Sequence, residues 1–551
     1  MSRSFKATKL ARRELLTFLL GAPLASRIMA CDRAAPNHAA DLPGALLGQP
    51  MALGHRLKTG LPPDRDWTQL PTRHYDALVV GAGPAGLSAA ATLYGNTVRK
   101  LAVLELDRQP GGTSQGGHSN ITPYPWAAHY LTCPMAENRP LCALLEDMGV
   151  INYDSKDGSP QGRAPYVVAE PKERHYYQGF FYPGLYRYAG ASAADIAELQ
   201  RFENHIVDFA RSRDKLGRRA FALPIGDSSD DKTWSELDQS SAKAWLAAQG
   251  YRSERLYWLL EYGCRDDFGL TLEHTSAWAM LHYHASRNRG QPGVDQPALT
   301  WPNGNQALVS HLSRPFGKHI HTGKLVIDVV DDKDGVRALV LDAQTDRLEC
   351  YQAAYAIVAT PHFITRRIVR ALRDGTGPQP PLTHGAWLVA NLHLHSRPHQ
   401  RGAEQAWDTV LVESPSLGYV TATHQLGRSY GPTVWTYYLP MTDENPHMGR
   451  KKLQQPTLKD FQEAILSDLE MAHPDLRAHI SRLDVYRWGH AMAQPRPGTI
   501  FHKDLAQARQ PLGRVHFAHS DLSAVALFEE AFSHGRRAAQ EVLARLGRTP
   551  S

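Results

Sequence analysis

The chain has 551 residues, 61 of them Lys or Arg and 55 Asp or Glu, for a formal charge of +6. The apolar share of 42% is that of an ordinary globular protein, and the length exceeds one simple core, so two intertwined domains are expected. Most of the net positive charge sits in the first 30 residues, and no basic stripe with interleaved aromatics follows, which argues against nucleic-acid binding.

Residues 1–30 contain Arg3, Lys6, Lys9, Arg12, Arg13 and Arg27 against the single acid Glu14. Arg12-Arg13 precede the modest apolar stretch Leu15–Ala25, an arrangement that reads as an export signal. The paired arginines resemble a twin-arginine signal, a route that carries folded proteins, so the twin-arginine machinery is an expected partner and the periplasm or exterior the expected location. Gly21 and Pro23 break the apolar stretch too early for a membrane span. The alternative is a disordered basic leader on a cytoplasmic protein. Cys31 follows Ile28-Met29-Ala30 as in a lipoprotein cleavage site, and acylation there would tether the protein to a membrane. Residues 31–74, with Pro36, Pro43, Gly44, Gly48, Pro50, Gly60, Pro62, Pro63 and Pro71, read as a linker or surface-wrapping arm.

From Tyr75 the pattern changes. An apolar run leads into Gly81-Ala82-Gly83-Pro84-Ala85-Gly86, a helix-compatible stretch follows, and a second apolar run, Leu101–Leu104, ends in Glu105. This is the order of a dinucleotide-binding βαβ unit. Gly81 permits the tight turn, Gly83 lets a pyrophosphate approach the backbone, and Gly86 lets helix and strand pack closely. The helix start, with Ala85 in its first turn, offers free N–H groups to phosphates. Glu105 is placed to accept from a ribose and would repel a 2′-phosphate, leaving NAD or FAD. Arg108 and the run Gly111-Gly112-Thr113 follow directly, and the second glycine pair favours FAD.

The middle of the chain is mixed. Ala193–Arg211, Ser241–Leu260 and Leu458–Met471 have helical spacing, and Thr383–Leu394, Thr409–Val412 and Thr433–Leu439 read as strands. Cys264-Arg265-Asp266-Asp267-Phe268-Gly269 reads as a charged turn. His282 and His284 lack a third partner as metal ligands, and no C-x-x-C pair exists, so no metal site is assigned. Cys133, Cys142, Cys264 and Cys350 read as buried thiols, with Cys133–Cys142 the nearest pair for a disulfide.

Late in the chain, Ala354–Pro361 looks like a further strand and turn of the same domain. Leu512–Asp521 then leads into Phe528-Glu529-Glu530-Ala531 and Gly535. Together with the glycine turn, these segments resemble the flavin-containing amine oxidase and phytoene desaturase superfamily. The resemblance implies an α/β fold: a Rossmann-like FAD-binding domain (75–150, 300–370 and 480–551) interleaved with an α+β substrate domain (151–299 and 371–479) on a mixed or antiparallel sheet. It assigns Asp521 and Glu529 to the flavin. The family has Arg where this chain has Thr113, and Gly where it has His519. The implied activity is removal of a hydride equivalent from a small substrate, an amine or polyamine, with electrons passing to an acceptor the sequence does not identify. The alternatives are a desaturase of a carotenoid-like substrate and a non-catalytic flavin-binding protein.

A flavin enzyme needs aromatics to wall the substrate, polar groups to orient it and a group to take a proton. His490 and Trp488, shortly before the C-terminal signature, are the expected catalytic residues. Trp301, Asp266, Asp267 and Tyr437 are the expected substrate contacts, since aromatic faces and carboxylates attract an ammonium. Lys215, Lys232, Lys243 and Lys318 match no position for the lysine that amine oxidases place at flavin N5, which leaves a dehydrogenase reading open.

Overall fold

The computed structural model describes residues 42–58, 70–373, 375 and 377–548. The expected export signal, Cys31 and part of the expected arm lie outside these residues. Continuous apolar runs need cover on both faces, and the runs around the glycine turn have it. Thr72–Val80 pairs in parallel with Leu101–Leu104 on one side and Arg347–Val358 on the other. Ile320–His321 and Val515–Phe517 extend the parallel layer at either side, and Lys324–Asp332 with Gly335–Asp342 complete it as an antiparallel meander.

Two helices share one face of this sheet. Pro84–Gly95 leaves the glycine turn, and Phe528–Arg545 lies directly on it. The crossing is close because Gly535 has no side chain: a Cβ there would stand 2.2 Å from the Ala85 carbonyl oxygen. Ser88 Oγ donates to the Phe532 carbonyl at 2.7 Å across the same contact. The early turn and the C-terminal segment, more than 400 residues apart, therefore form one body.

The second sheet runs in the order Leu46–Gly48, Ile480–Gln494, Thr383–Leu394, Thr433–Met441, Tyr419–Thr421, Asp408–Leu411, Glu173–Tyr177, Phe180–Pro183. It is mixed: antiparallel at most pairings, parallel where Leu46–Gly48 and Glu173–Tyr177 join. Two segments depart from the expected division of the chain. Ile480–Gln494, expected in the cofactor domain, crosses the second sheet, because Leu483 and Val485 bury one of its faces while Tyr486 and Trp488 bury the other. Leu46–Gly48, expected in the arm, is an edge strand.

The helices follow local chemistry. Ala193–Arg211 and Leu458–Leu469 each start with a capping box, Ser192 with Asp195 and Thr457 with Asp460. The single helix expected over 241–260 is two, Ala242–Ala248 and Glu254–Phe268, since Gly250 turns the chain at φ +74°. The expected charged turn at 264–269 is the last turn of the second of these, closed by Gly269 in the left-handed conformation. Cys133, Cys142, Cys264 and Cys350 are buried free thiols, so no disulfide joins Cys133 to Cys142.

A Cβ at residue 86 would stand 1.9 Å from the Gly81 carbonyl oxygen, in backbone that carries the turn. Gly86→Ala is expected to lower stability by roughly 1–3 kcal/mol and to release bound cofactor, as read by thermal unfolding and by flavin content after gel filtration.

Candidate active site

The C-terminal ends of the parallel strands form the cofactor edge. Gly81 turns the chain at φ +98°, with the Ala359 carbonyl 2.8 Å from where a Cβ would stand. Gly83 differs: a Cβ there would meet nothing within 4 Å. The helix starting at Pro84 has Gly83 as N-cap and no side chain capping it, and Ala85 is buried in its first turn. Gly111 N–H donates to the Ala82 carbonyl at 2.8 Å, folding the second glycine pair back onto the first turn, so that a Cβ on Gly112 would lie 3.6 Å from Gly83 Cα. Gly111 and Gly112 need φ of +128° and +55° to do this.

Glu105 closes the adenosine end. Its Oε2 accepts from Ala82 N–H at 2.6 Å and its Oε1 from Asp107 N–H at 2.8 Å. Burial pushes its pKa up to about 6. Each oxygen retains a lone pair, which a ribose hydroxyl would satisfy. An open glycine slot, an uncapped 12-residue helix and an under-paired carboxylate fit FAD, with Gly81, Gly83, Ala85 and Gly86 beside the phosphates and Glu105 on the ribose. Thr113 meets this edge through its carbonyl, which accepts from Ala128 N–H at 3.0 Å. Arg108 is exposed, and its backbone N–H bonds Asp107.

Asp521 sits at the other end of the edge with a side chain 1% exposed. It accepts from His362 N–H at 2.8 Å and pairs with His384 Nε2 at 2.9 Å and His519 Nδ1 at 3.0 Å. Burial alone would raise its pKa, but the two rings hold it well below the carboxylate range. His519 stands where the family has glycine, at φ 178°, an extended conformation open to any residue, so its side chain costs the backbone nothing there. Glu529 does not join Asp521. Helical rotation turns it toward Thr132, Cys133, Asn138, Leu223 and Ser286, where burial pushes it up to about 7.

Several expected site residues lie elsewhere. Trp488 is fully buried, stacked on Tyr486 at 4.2 Å with its indole N–H on the Trp126 carbonyl, and packs the core. Tyr437 is fully buried on the opposite face of its strand, donating to Asp468 at 2.9 Å. Trp301 packs beside Tyr166 on the cofactor-domain core. His490 contacts Phe363 at 4.5 Å and His384 at 6.2 Å between ring centroids. Burial pushes its pKa down to about 3, so it is neutral near pH 7 and too weakly basic to hold a proton there. His282 bonds the Ala222 carbonyl and stacks on Trp278. Lys215, Lys232, Lys243 and Lys318 are all exposed.

The structure instead collects acids and aromatics where the two sheets meet. The segment from Thr113 to Thr132 leads there, tied by Trp126 N–H to the Gln115 carbonyl, by Asn305 N–H to the Ala128 carbonyl and by Tyr438 OH to the Ala127 carbonyl. It delivers His129, 5.0 Å from the Tyr438 ring, and Tyr130, whose hydroxyl lies 3.3 Å from Asp267. Asp267 is neutralised by Arg287 at 2.8 Å, and that guanidinium lies over Tyr283 at 4.1 Å. Asp408 accepts from Tyr262 OH at 2.9 Å; burial, aided by Glu173, pushes its pKa up to about 7. Asp266 is the group without a counterpart. It keeps partial solvent access, makes no hydrogen bond or ion pair among the described residues, and is raised well above the carboxylate range by burial and by Asp267, Asp408 and Glu173. Sequence reasoning found Asp266 and Asp267 but missed Asp408, Glu173 and Tyr130. Strict period-two reading of the 433–441 strand would have pointed to Tyr438 once Tyr437 was assigned to the core.

This fold and edge define a flavoprotein oxidoreductase. The description "flavin containing amine oxidoreductase" matches residues 84–543, and the chain belongs to that family. It is a FAD-dependent amine oxidoreductase. Among solved structures it is similar to wild-type putrescine oxidase bound to putrescine (17% identity, 86% of this chain and 100% of that one, TM-score 0.64). It is also similar to cyclohexylamine oxidase from Brevibacterium oxydans IH-35A (15%, 86% and 100%, 0.60) and to a fatty acid isomerase from P. acnes (13%, 86% and 98%, 0.60). At these identities the likeness is one of fold. No curated protein matches the chain.

Glu105→Ala is expected to weaken FAD binding by about 1.5–3 kcal/mol, the worth of hydrogen bonds to a charged group. Ribose hydroxyls donate to the ionised form, so affinity should also fall as pH drops through about 6. Fluorescence titration of apoprotein with FAD measures both, and Glu105→Gln should flatten the pH profile.

Proposed function

We propose that this protein oxidises a diamine or polyamine, binding one ammonium group at Asp266. The observation that carries this reading is the unpaired Asp266 beside Asp408 and Glu173 and among the rings of Tyr130, Tyr262, Tyr283 and Tyr438. Buried carboxylates without cations are costly, and a substrate ammonium supplies the missing charge. Asp267 is excluded from that role by Arg287, whose fixed positive charge repels an ammonium and directs it to Asp266. Asp408, near pH 7 in its affinity for a proton, is the group suited to take one as the ammonium is converted to the reactive free amine. FAD supplies the hydride acceptor. A polyene substrate would gain nothing from these acids, which disfavours the desaturase alternative. The similarity in fold to putrescine oxidase agrees with a diamine.

Anaerobic mixing tests the reading: putrescine or spermidine should bleach the flavin, and a polyene should not. Asp266→Asn should raise KM for the diamine by roughly thirtyfold or more, the lower end for loss of a buried charge partner, with flavin content unchanged. Equal reduction by diamine and simple monoamine, unaltered in Asp266→Asn, would overturn it. KM for the diamine should rise as pH falls below about 7, where Asp408 becomes protonated and loses its attraction for the ammonium.

We further propose export of the folded holoenzyme, supported by Arg12-Arg13 and the apolar stretch after them. Replacing both arginines with lysine should hold the protein in the cytoplasm on cell fractionation.

A further inference from the structure

Where the chain leaves the strand Thr383–Leu394 and enters Ile480–Gln494, two histidines and an aspartate converge. His399 follows the strand Thr383–Leu394, and Asp475 and His479 flank the short turn before Ile480–Gln494. Asp475 Oδ2 lies 2.7 Å from His399 Nδ1 and 3.1 Å from His479 Nε2, so both ring nitrogens face the same carboxylate oxygen. These ligand atoms all fall within 4.8 Å of one another. We infer that His399, Asp475 and His479 form a binding site for a divalent transition cation of the zinc type.

Three features support this beyond proximity. First, the other oxygen of the same carboxylate, Asp475 Oδ1, is shut from solvent and has no hydrogen-bond partner among the described residues. The Asp475 side chain is 33% exposed and its Oδ2 also accepts from the His399 backbone N–H at 3.1 Å, so Oδ1 is the oxygen left without a partner for a cation to take. Second, the ring behind the centre is oriented. Ser396 Oγ lies 2.9 Å from His479 Nδ1 and 2.9 Å from His395 Nδ1. A serine hydroxyl carries one proton, so it can accept from one ring and donate to the other. With His479 Nδ1–H donating to Ser396 and Ser396 donating to His395, the His479 Nε2 lone pair is free for a metal. This is the outer-shell support that metal-bound histidines require. Third, the His399 side chain is 95% exposed, so the centre is open on one side to water ligands and to metal entry.

The donor set also selects the ion. Two imidazoles and one carboxylate suit Zn2+, Cu2+ or Ni2+ and are poor for Mg2+ or Ca2+, which take oxygen ligands. A tetrahedral zinc at about 2.0–2.1 Å from each ligand holds its ligand atoms roughly 3.3 Å apart. The two separations to Asp475 Oδ2, 2.7 and 3.1 Å, need to open by about 0.2–0.6 Å, and the two ring nitrogens lie within 4.8 Å of each other. A bound cation would fasten the loop after Thr383–Leu394 to the turn before Ile480–Gln494, the two strands that pair along the middle of the sheet.

The test uses tag-free holoenzyme. Isothermal titration with Zn2+, and Co2+ difference spectroscopy read against the flavin bands, should show one site of micromolar or tighter affinity, with Zn2+ displacing Co2+. His399→Ala and Asp475→Asn should abolish it, and Ser396→Ala, which removes only the outer-shell partner, should weaken it about tenfold. Each variant should keep its flavin spectrum, which reports the fold. Binding no tighter than millimolar, or binding unchanged in His399→Ala and Asp475→Asn, would show that the three groups are a surface hydrogen-bond cluster only. Neither result depends on amine turnover.

Discussion

One stretch of backbone, residues 111–132, holds the site together. It leaves the cofactor edge at Gly111, whose N–H is bound to the Ala82 carbonyl, and is stitched to the Trp301 turn by Asn305 and to the second sheet by Tyr438. Gly304 belongs to the same junction: at φ +57° it passes so close that a Cβ would meet the Ala128 carbonyl at 2.6 Å. Because the glycine turn, the Trp301 turn and the second sheet all hydrogen-bond to this one segment, Tyr130 is held at a fixed place relative to the glycine slot, and its hydroxyl meets Asp267. A dinucleotide spread along one sheet edge and an ammonium held against the other sheet can then share a reacting centre between them.

Electrostatics divides the buried acids into two groups. Asp521 is surrounded by a backbone N–H and two imidazoles and stays ionised far below neutral pH. Asp266, Asp408 and Glu529 are buried without an ion-pair partner among the described residues, Asp408 accepting from the Tyr262 hydroxyl, and their protons are held more tightly than on ordinary carboxylates. The same functional group therefore does two jobs. The partnered acid belongs to the permanent framework of the cofactor edge. Asp266 and Asp408, without a counter-cation in contact, favour a ligand that brings positive charge, which is how a site can trade stability for affinity. Arg287 pairs with Asp267 at 2.8 Å and offsets only part of the repulsion that raises Asp266.

Local pattern carried much of the fold. Glycines at fixed spacing, apolar runs that need cover on both faces, and capping boxes at 192–195 and 457–460 are short-range chemistry, and the corresponding turn, strands and helices are where that chemistry puts them. The resemblance at the C-terminal signature brought residues 512–535 to the glycine helix, where Gly535 and Ser88 make the contact. The site was less legible. Trp488 and Tyr437 are aromatic residues near the right segments, but a strand alternates its faces, and both point into packed core. One position away, Tyr438 lies beside His129.

What the linear chain determined by itself is the cofactor: the glycine slot, the acid that ends the second strand and the closing segment are all encoded within short windows, since each depends on local backbone freedom or on a charge at a fixed distance. What only the folded molecule decided is the substrate end. Glu173, Asp266 and Asp408 come from three distant segments, and the lack of a partner for Asp266 is a property of what does not surround it. Burial and missing counter-charge are sums over every neighbour in space, and neighbours in space are supplied by tertiary structure alone.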